Sequence, residues 1–164
     1  MVESFSRPGG NLTGVSVLLS GVIAKRLEIL QELVPSAVTI ASLVNPDNPN
    51  AQIYARETQA AADALGLGIE PVEARTEGDL EAAFTIMVQR QAGALAVTPD
   101  PYFIARREQI VALTKRYAVP AIYPIRWLPE VGGLMSYGAP PIDLARQMGS
   151  YTGKILPIQQ STKV

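Results

Sequence analysis

The chain has 164 residues, a length that predicts roughly one domain with a sizeable core. Hydrophobic residues make up 48% and charged residues 18%, which is typical of a globular protein and excludes a disordered one. The formal net charge is −1, so the chain lacks the electrostatic signature of a protein that binds nucleic acid or an anionic membrane.

Two residue types are missing altogether, because the sequence contains neither Cys nor His. Their absence excludes disulfides, thiol nucleophiles, Cys-based zinc sites and Ser-His-Asp triads. We therefore expect no catalytic residues, no metal and no cofactor. No apolar run reaches the length of a membrane-spanning helix, and residues 1–7 lack the apolar core of a signal peptide, so we expect a soluble chain as given.

Short β-branched runs alternate with longer amphipathic runs along the chain. A strand is predicted at 11–17 and a helix at 20–34, where apolar side chains recur at helical spacing until Pro35. Residues 38–44 form a nearly continuous apolar run, which indicates a strand buried on both faces.

A turn cluster at 45–49 leads into an Ala-rich helix that ends near Leu65. Asn48 is the predicted N-cap of this helix, with Pro49 at its first position. Gly66 is expected to end the helix in the left-handed conformation.

The alternation continues to the end of the chain, and Gly93 is predicted to mark the end of one helix. Such βα repetition predicts a three-layer, doubly wound (Rossmann-like) α/β domain over 1–164 with a mainly parallel sheet. The remaining predicted elements are a strand at 69–73, a helix at 79–91, a strand at 94–97, a helix at 102–117, a strand at 121–123, a helical turn at 127–131, a strand at 133–137 and a helix at 142–156.

Ligands of open α/β sheets bind beyond the carboxyl ends of the strands. The loop after the second predicted strand carries Asn45, Asp47 and Asn48, and the loop after the fourth carries Thr98 and Asp100. Both loops lead into helix N-termini, whose free N–H groups suit a carboxylate. The Asp100 carboxylate suits an ammonium group. These five residues are therefore candidate ligand contacts.

A third loop, after the strand at 121–123, offers Tyr123 and Arg126 as further candidate ligand contacts. A purely structural interpretation stays open for several candidates. Asn48 and Asp100 are also good helix caps, Arg126 is also a typical solvated residue, and Trp127 is also a typical core residue. No phosphate-binding glycine motif is present.

Seven short motifs, taken together in chain order, resemble the ABC-transporter substrate-binding protein family of the tryptophan/tyrosine-uptake type. Each motif alone is weak, but the ordered set covers nearly the whole chain. The motifs are RPGGNLTGVS at 7–16, KRLE at 25–28, LVP at 33–35, NPDNP at 45–49, PDP at 99–101, PAIY at 120–123 and GGLMSYG at 132–138.

Members of that family are periplasmic or lipid-anchored proteins that trap a solute between two Rossmann-like lobes. The resemblance implies that this chain is the second lobe of a type I-like periplasmic binding protein, with hinge strands near 12–16 and 134–137. It implies that the helix at 142–156 packs on a first lobe. It also implies a small amino-acid-like ligand, aromatic ones included, a membrane permease as partner and a periplasmic location.

A lobe without its counterpart leaves apolar surface uncovered, so we expect a homodimer. Two other functions stay open at this point. One is a flavodoxin-like enzyme in which Asp47 and Asp100 perform acid–base chemistry. The other is an interaction or sensor domain that binds no ligand.

Overall fold

The computed structural model describes residues 19–155. The chain divides into two compact units at Gly138. One unit carries a sheet with its helices, and the described part of the other carries the last helix. The predicted strand at 11–17, with the hinge strand near 12–16, lies outside the described residues.

The elements observed in the first unit follow the predicted order of helices and strands. They are α1 (Leu19–Leu33), β1 (Thr39–Val44), α2 (Ala51–Leu65), β2 (Gly68–Glu73), α3 (Glu77–Gln89), β3 (Ala94–Val97), α4 (Pro101–Ala105), α5 (Arg107–Arg116), β4 (Ala121–Tyr123), α6 (Trp127–Glu130) and β5 (Met135–Ser136).

The five described strands form one parallel sheet in the order β2-β1-β3-β4-β5. This arrangement confirms the predicted doubly wound α/β fold. The chain runs outward from β1 to β2, then returns past β1 and continues in the opposite direction from β3. The topological switch point, where such sheets bind ligands, therefore lies between the carboxyl ends of β1 and β3.

Alternate side chains of the central strands enter two separate apolar layers, as a strand buried on both faces requires. Ile40 and Ala96 pack with α1 and α2, whereas Leu43 and Val97 pack with α3 and α5. The sheet thus lies between two helical layers, and β1 is buried as its continuous apolar run predicts.

Helix α3 begins two residues before its predicted start because its first turn carries a capping box. The Thr76 hydroxyl accepts a hydrogen bond from the Asp79 amide, and the Asp79 carboxylate accepts one from the Thr76 amide. Backbone donation from Arg75 and Thr76 holds the pKa of Asp79 below its usual value. The prediction that Gly93 marks the carboxyl end of α3 is wrong. The residue with positive φ after this helix is Gln91, at 56°.

The helix predicted over 102–117 is interrupted at Arg106, which separates α4 from α5. Arg106 leaves the helical region with φ −99° and ψ 18°. Asp100 immediately precedes α4 and caps it, accepting a hydrogen bond from the Tyr102 amide at 2.6 Å. This cap fixes the direction in which the chain leaves β3.

The second unit contains helix α7 (Pro141–Ile155) among its described residues. An Arg146–Asp143 ion pair of 3.2 Å supports its first turn. Three large apolar side chains on it, Ile142, Met148 and Tyr151, are exposed. Within residues 19–155, every helix is too short or too polar to cross a membrane.

Candidate functional site

Polar loops follow β1 and β3 and are joined to each other at the switch point of the sheet. The Asp100 carboxylate accepts hydrogen bonds from two side-chain amides, that of Asn48 at 2.6 Å and that of Asn45 at 3.2 Å. Asp100 is only 3% exposed. The backbone amide of Tyr102 is a third donor to this carboxylate. The carboxylate thus fixes the distance between the loop after β1 and the loop after β3.

The loop after β1 is folded by its own asparagines. The Asn45 side-chain oxygen accepts a hydrogen bond from the Asp47 amide, and that of Asn48 accepts one from the Asn50 amide. The prediction that Asn48 is the N-cap of α2 is wrong, because the helix begins at Ala51 with Asn50 in the cap position. The Asn48 side-chain oxygen instead closes a turn with the Asn50 backbone amide while its NH₂ group donates to Asp100, and α2 begins two residues later than predicted.

A narrow recess opens beside these loops, between the carboxyl ends of the strands and the first halves of α1 and α2. Its free volume is about 20 Å³, enough for one water molecule. The floor comes from β1 and β3, and the walls come from the two helices. The lining residues are Ile23, Arg26, Leu27, Ser42, Tyr54, Thr58, Ala96, Val97, Thr98 and Pro99.

Arg26 is a candidate site residue that the sequence analysis did not identify. Its side chain is buried, its Nε donates to the Tyr137 carbonyl at 2.6 Å, and its Nη2 donates to the Pro124 carbonyl at 3.5 Å. Burial lowers the pKa of Arg26 to about 10, with Tyr54 acting in the opposite direction. A sequence signal existed, because Arg26 adjoins Leu27 on the side of α1 where Ile23 and Leu30 are buried.

Tyr54 on α2 is a second residue missed from the sequence, and it lies close to the charges of the site. Burial raises the pKa of the Tyr54 hydroxyl, the positive charge of Arg26 lowers it, and the negative charge of Asp100 raises it. A half-buried aromatic ring thus lines the same recess as the buried Arg26. Rings with one polar end are common in ligand pockets.

Four of the predicted site residues lie together at this edge of the sheet: Asn45, Asn48, Thr98 and Asp100. Thr98 is buried and lines the recess, and its hydroxyl donates to the Leu43 carbonyl at 2.7 Å. Their contact with a ligand remains a prediction.

The other three predicted site residues lie apart from this group. Asp47 belongs to the loop after β1 but is exposed and pairs with Arg75 at 3.4 Å. Arg126 is exposed and pairs with Glu130 at 2.7 Å. Tyr123 is fully buried in the layer of α3 and α5, where its hydroxyl lies 3.1 Å from the Thr114 hydroxyl. The structure therefore places Tyr123 in the core rather than at the rim.

Within residues 19–155, no group of three acidic side chains is arranged to hold a metal ion. The described site is instead a set of short polar side chains, one aromatic ring and one buried cation at the switch point of a parallel sheet. These features are typical of an α/β lobe that binds a small organic ligand.

Solved structures with the same fold are of the type I periplasmic binding protein class. An ABC domain from Streptococcus pneumonia, solved in complex with L-Trp, is 24% identical, with a TM-score of 0.80 over 94% of this chain and 51% of its own. A conserved domain protein from Vibrio cholerae is 20% identical, with a TM-score of 0.82 over the same shares of the two chains. This chain thus spans about half the length of these relatives.

A ligand-free, open substrate binding protein with adhesive properties from Clostridium difficile is 22% identical, with a TM-score of 0.70, and again 94% of this chain and 51% of that one are covered. No curated protein sequence matches the chain. The sequence profile of the family described as "ABC transporter substrate binding protein" matches residues 1–164. The chain belongs to this family, which confirms the resemblance carried by its seven motifs.

The family consists of substrate-binding proteins rather than enzymes. The alternative of a flavodoxin-like enzyme using Asp47 and Asp100 finds no support in the geometry either. The Asp47 carboxylate is exposed and paired with Arg75, and the Asp100 carboxylate is buried and held by three donors.

Proposed function

We propose that this chain is the second lobe of a solute receptor of an ABC-type uptake system. Its ligand is a small amino-acid-like molecule, aromatic amino acids included, held at the carboxyl ends of β1 and β3. The observation that carries this proposal is the recess at the switch point, where Arg26, Tyr54 and Thr98 line one opening beside the Asp100 loops. The L-Trp bound to the Streptococcus relative supports the ligand class.

One lobe supplies only part of the contacts that such a receptor makes. The recess holds about 20 Å³ of free space, which is too little for an amino acid, so the ligand rests mainly over its mouth. Trapping a ligand away from water requires a second lobe that closes on it. In this proposal the strand at β5 belongs to the hinge, and α7 packs on the first lobe.

The isolated chain should therefore bind aromatic amino acids weakly and at one place. We expect a Kd above about 10 μM for L-tryptophan, L-tyrosine or L-phenylalanine, because roughly half of the contacts are absent. Two-dimensional NMR of the labelled chain, titrated to about 10 mM ligand, should show shifts centred on Tyr54 and Thr98.

An internal control lies at the opposite end of the sheet. A groove there, before β4 and β5, includes Lys115, Val119 and Leu134 and should not respond. Shifts confined to that groove, or no shifts with any of the three amino acids, would contradict the proposed function. A Kd below about 10 μM would instead contradict the expectation that the isolated chain supplies only about half of the contacts.

In the full receptor the proposed partners are a small-molecule solute and the membrane permease of the transporter, and the proposed location is the periplasm. The match to the substrate-binding family supports all three. In this proposal the other lobe closes over the site at the switch point.

We also propose that the isolated chain forms a homodimer. Leu134 and Tyr137, at the edge strand β5 of the described sheet, are 58% and 42% exposed, and α7 exposes Ile142 and Met148. Apolar surface of this kind usually finds a partner. Size-exclusion chromatography with light scattering at micromolar concentration should give about twice 17.6 kDa. A homogeneous monomer would contradict this proposal without affecting the binding test.

A further inference from the structure

The recess contains two polar groups whose hydrogen-bonding capacity is unmet by the described residues. Ser42 on β1 is 2% exposed, and its hydroxyl has no hydrogen-bond partner there. Arg26, which lines the same recess, is 6% exposed and forms no ion pair among residues 19–155. Buried polar and charged groups are normally paired, so each unpaired group calls for a partner.

The carbonyl contacts of Arg26 leave most of its guanidinium free. Its Nε–H donates to Tyr137 and one Nη2–H donates, at the long distance of 3.5 Å, to Pro124. A guanidinium carries five N–H donors, so three remain without a described acceptor. The two carbonyls hold the side chain in place, but they carry no full negative charge to balance it.

No carboxylate in the described part of the chain is directed at this cation. Asp100, the acidic group of the site, already accepts from Asn45, Asn48 and the Tyr102 amide. The neighbouring Glu28 pairs with Lys25 at 2.9 Å on the exposed side of α1. The recess therefore contains a positioned positive charge, a free hydroxyl and space for one water-sized atom.

We propose that Arg26, with the Ser42 hydroxyl, binds the carboxylate of the ligand. One carboxylate oxygen occupies the water-sized space, accepts from the free guanidinium N–H groups and accepts from Ser42. This assignment rests on the proposed function. The sequence analysis expected helix N-termini to bind the ligand's carboxylate, whereas here Arg26 and Ser42 bind it. A planar guanidinium suits a carboxylate better than an ammonium group does, because its donors match the two oxygens.

The proposal makes the ligand class specific: an acid is required, and an amine of the same shape is not sufficient. L-tryptophan and indole-3-propionate both carry the carboxylate, whereas tryptamine carries the indole and the ammonium group alone. We expect the first two to engage Arg26 and the third to leave it unaffected.

The test is NMR of the full chain with labelled arginine side chains, read at the Arg26 Nε–H. L-tryptophan and indole-3-propionate at about 10 mM should shift this resonance. Tryptamine at the same concentration should not. Arg126, exposed and paired with Glu130, is the matched control for unspecific effects of a carboxylate, and its Nε–H should move far less.

Each outcome separates this inference from the function on which it rests. If L-tryptophan shifts Tyr54 and Thr98 but not the Arg26 Nε–H, the receptor function stands and the carboxylate assignment is overturned. If indole-3-propionate shifts Arg26 but L-tryptophan binds nowhere, the assignment stands and the amino-acid function falls. If neither carboxylate ligand shifts the Arg26 Nε–H resonance, the role of Arg26 is to bind the Tyr137 and Pro124 carbonyls, and the assignment is wrong.

A variant provides a second readout. Arg26→Lys keeps the charge but loses the planar donor set, and it should bind L-tryptophan at least about tenfold more weakly. Ser42→Ala, which removes a buried hydroxyl that has no described partner, should fold normally and bind L-tryptophan and indole-3-propionate severalfold more weakly than wild type. Equal binding of L-tryptophan by wild type and both variants would overturn the proposal.

Discussion

Replacing Asp100 by alanine is expected to lower the free energy of unfolding by about 3 kcal/mol. The substitution removes the cap of α4 and leaves the amide groups of Asn45 and Asn48 without their shared acceptor. Losing a helix cap costs about 1 kcal/mol, and each polar group left unpaired in a partly buried place costs about as much again. Urea denaturation followed by circular dichroism measures the change.

The matched control is Asp47→Ala in the adjoining loop. Asp47 is 71% exposed at its side chain and makes a single surface ion pair with Arg75. Its removal should change stability by less than about 0.5 kcal/mol. Asp100→Asn should fall between the two variants, because its oxygen still caps α4 while its NH₂ group faces a donor from Asn48. Equal effects of Asp100→Ala and Asp47→Ala would show that the buried carboxylate does not organise the loops.

The fold was largely predictable because its signals are local in the sequence. β1 and β3 are apolar runs that fit only a doubly covered strand, and both appear where the sequence places them. Gly66 ends α2 with φ 69° as predicted, since glycine alone takes this conformation without strain. The βα alternation and the right-handed crossover rule predict the parallel, doubly covered sheet, whereas the strand order β2-β1-β3-β4-β5 is seen only in the structure.

The start of α2 was less predictable because both ends of the Asn48 side chain are held outside the helix. Its oxygen accepts a hydrogen bond from the Asn50 backbone amide, and its NH₂ group donates to Asp100, 52 positions later in the chain. Nothing in the residues around Asn48 reveals that Asp100 will lie beside it. A cap prediction from sequence considers only neighbouring residues, and here α2 begins at Ala51, after the turn that Asn48 closes.

The loop residues of the candidate site could be predicted from the sequence, but the helix residues that line the recess could not. The strand-end rule identifies Asn45 and Asp100 because loops are read directly from the sequence. Arg26 and Tyr54 reach the same place from helices, and only the packing of α1 and α2 against the sheet brings them to the recess. Tyr123 was predicted to contact a ligand because it lies next to a loop, but it is the last residue of β4. The alternation of side chains along a strand directs it into the apolar layer of α3 and α5.

Replacing Gly138 by alanine is expected to destabilise the fold by about 3 kcal/mol, because two backbone segments meet closely at this residue. A Cβ there would overlap the Pro124 carbonyl oxygen and lie 3.1 Å from Arg26 Nη2. The first contact is with backbone, so a change of rotamer cannot relieve it. Residues 137–138 must move, and the hydrogen bond from Arg26 to the Tyr137 carbonyl weakens with them.

The control is Gly21→Ala in α1, where a new Cβ meets no atom within 4 Å. Alanine favours a helix over glycine by about 1 kcal/mol, so this variant should be as stable as wild type or slightly more so. Thermal unfolding followed by circular dichroism compares the two variants, and the Arg26 Nε–H resonance reports whether the guanidinium has lost its carbonyl. If Gly138→Ala unfolds at the wild-type temperature with that resonance unmoved, the chain tolerates a side chain here, and Arg26 is held by contacts other than the Pro124 and Tyr137 carbonyls.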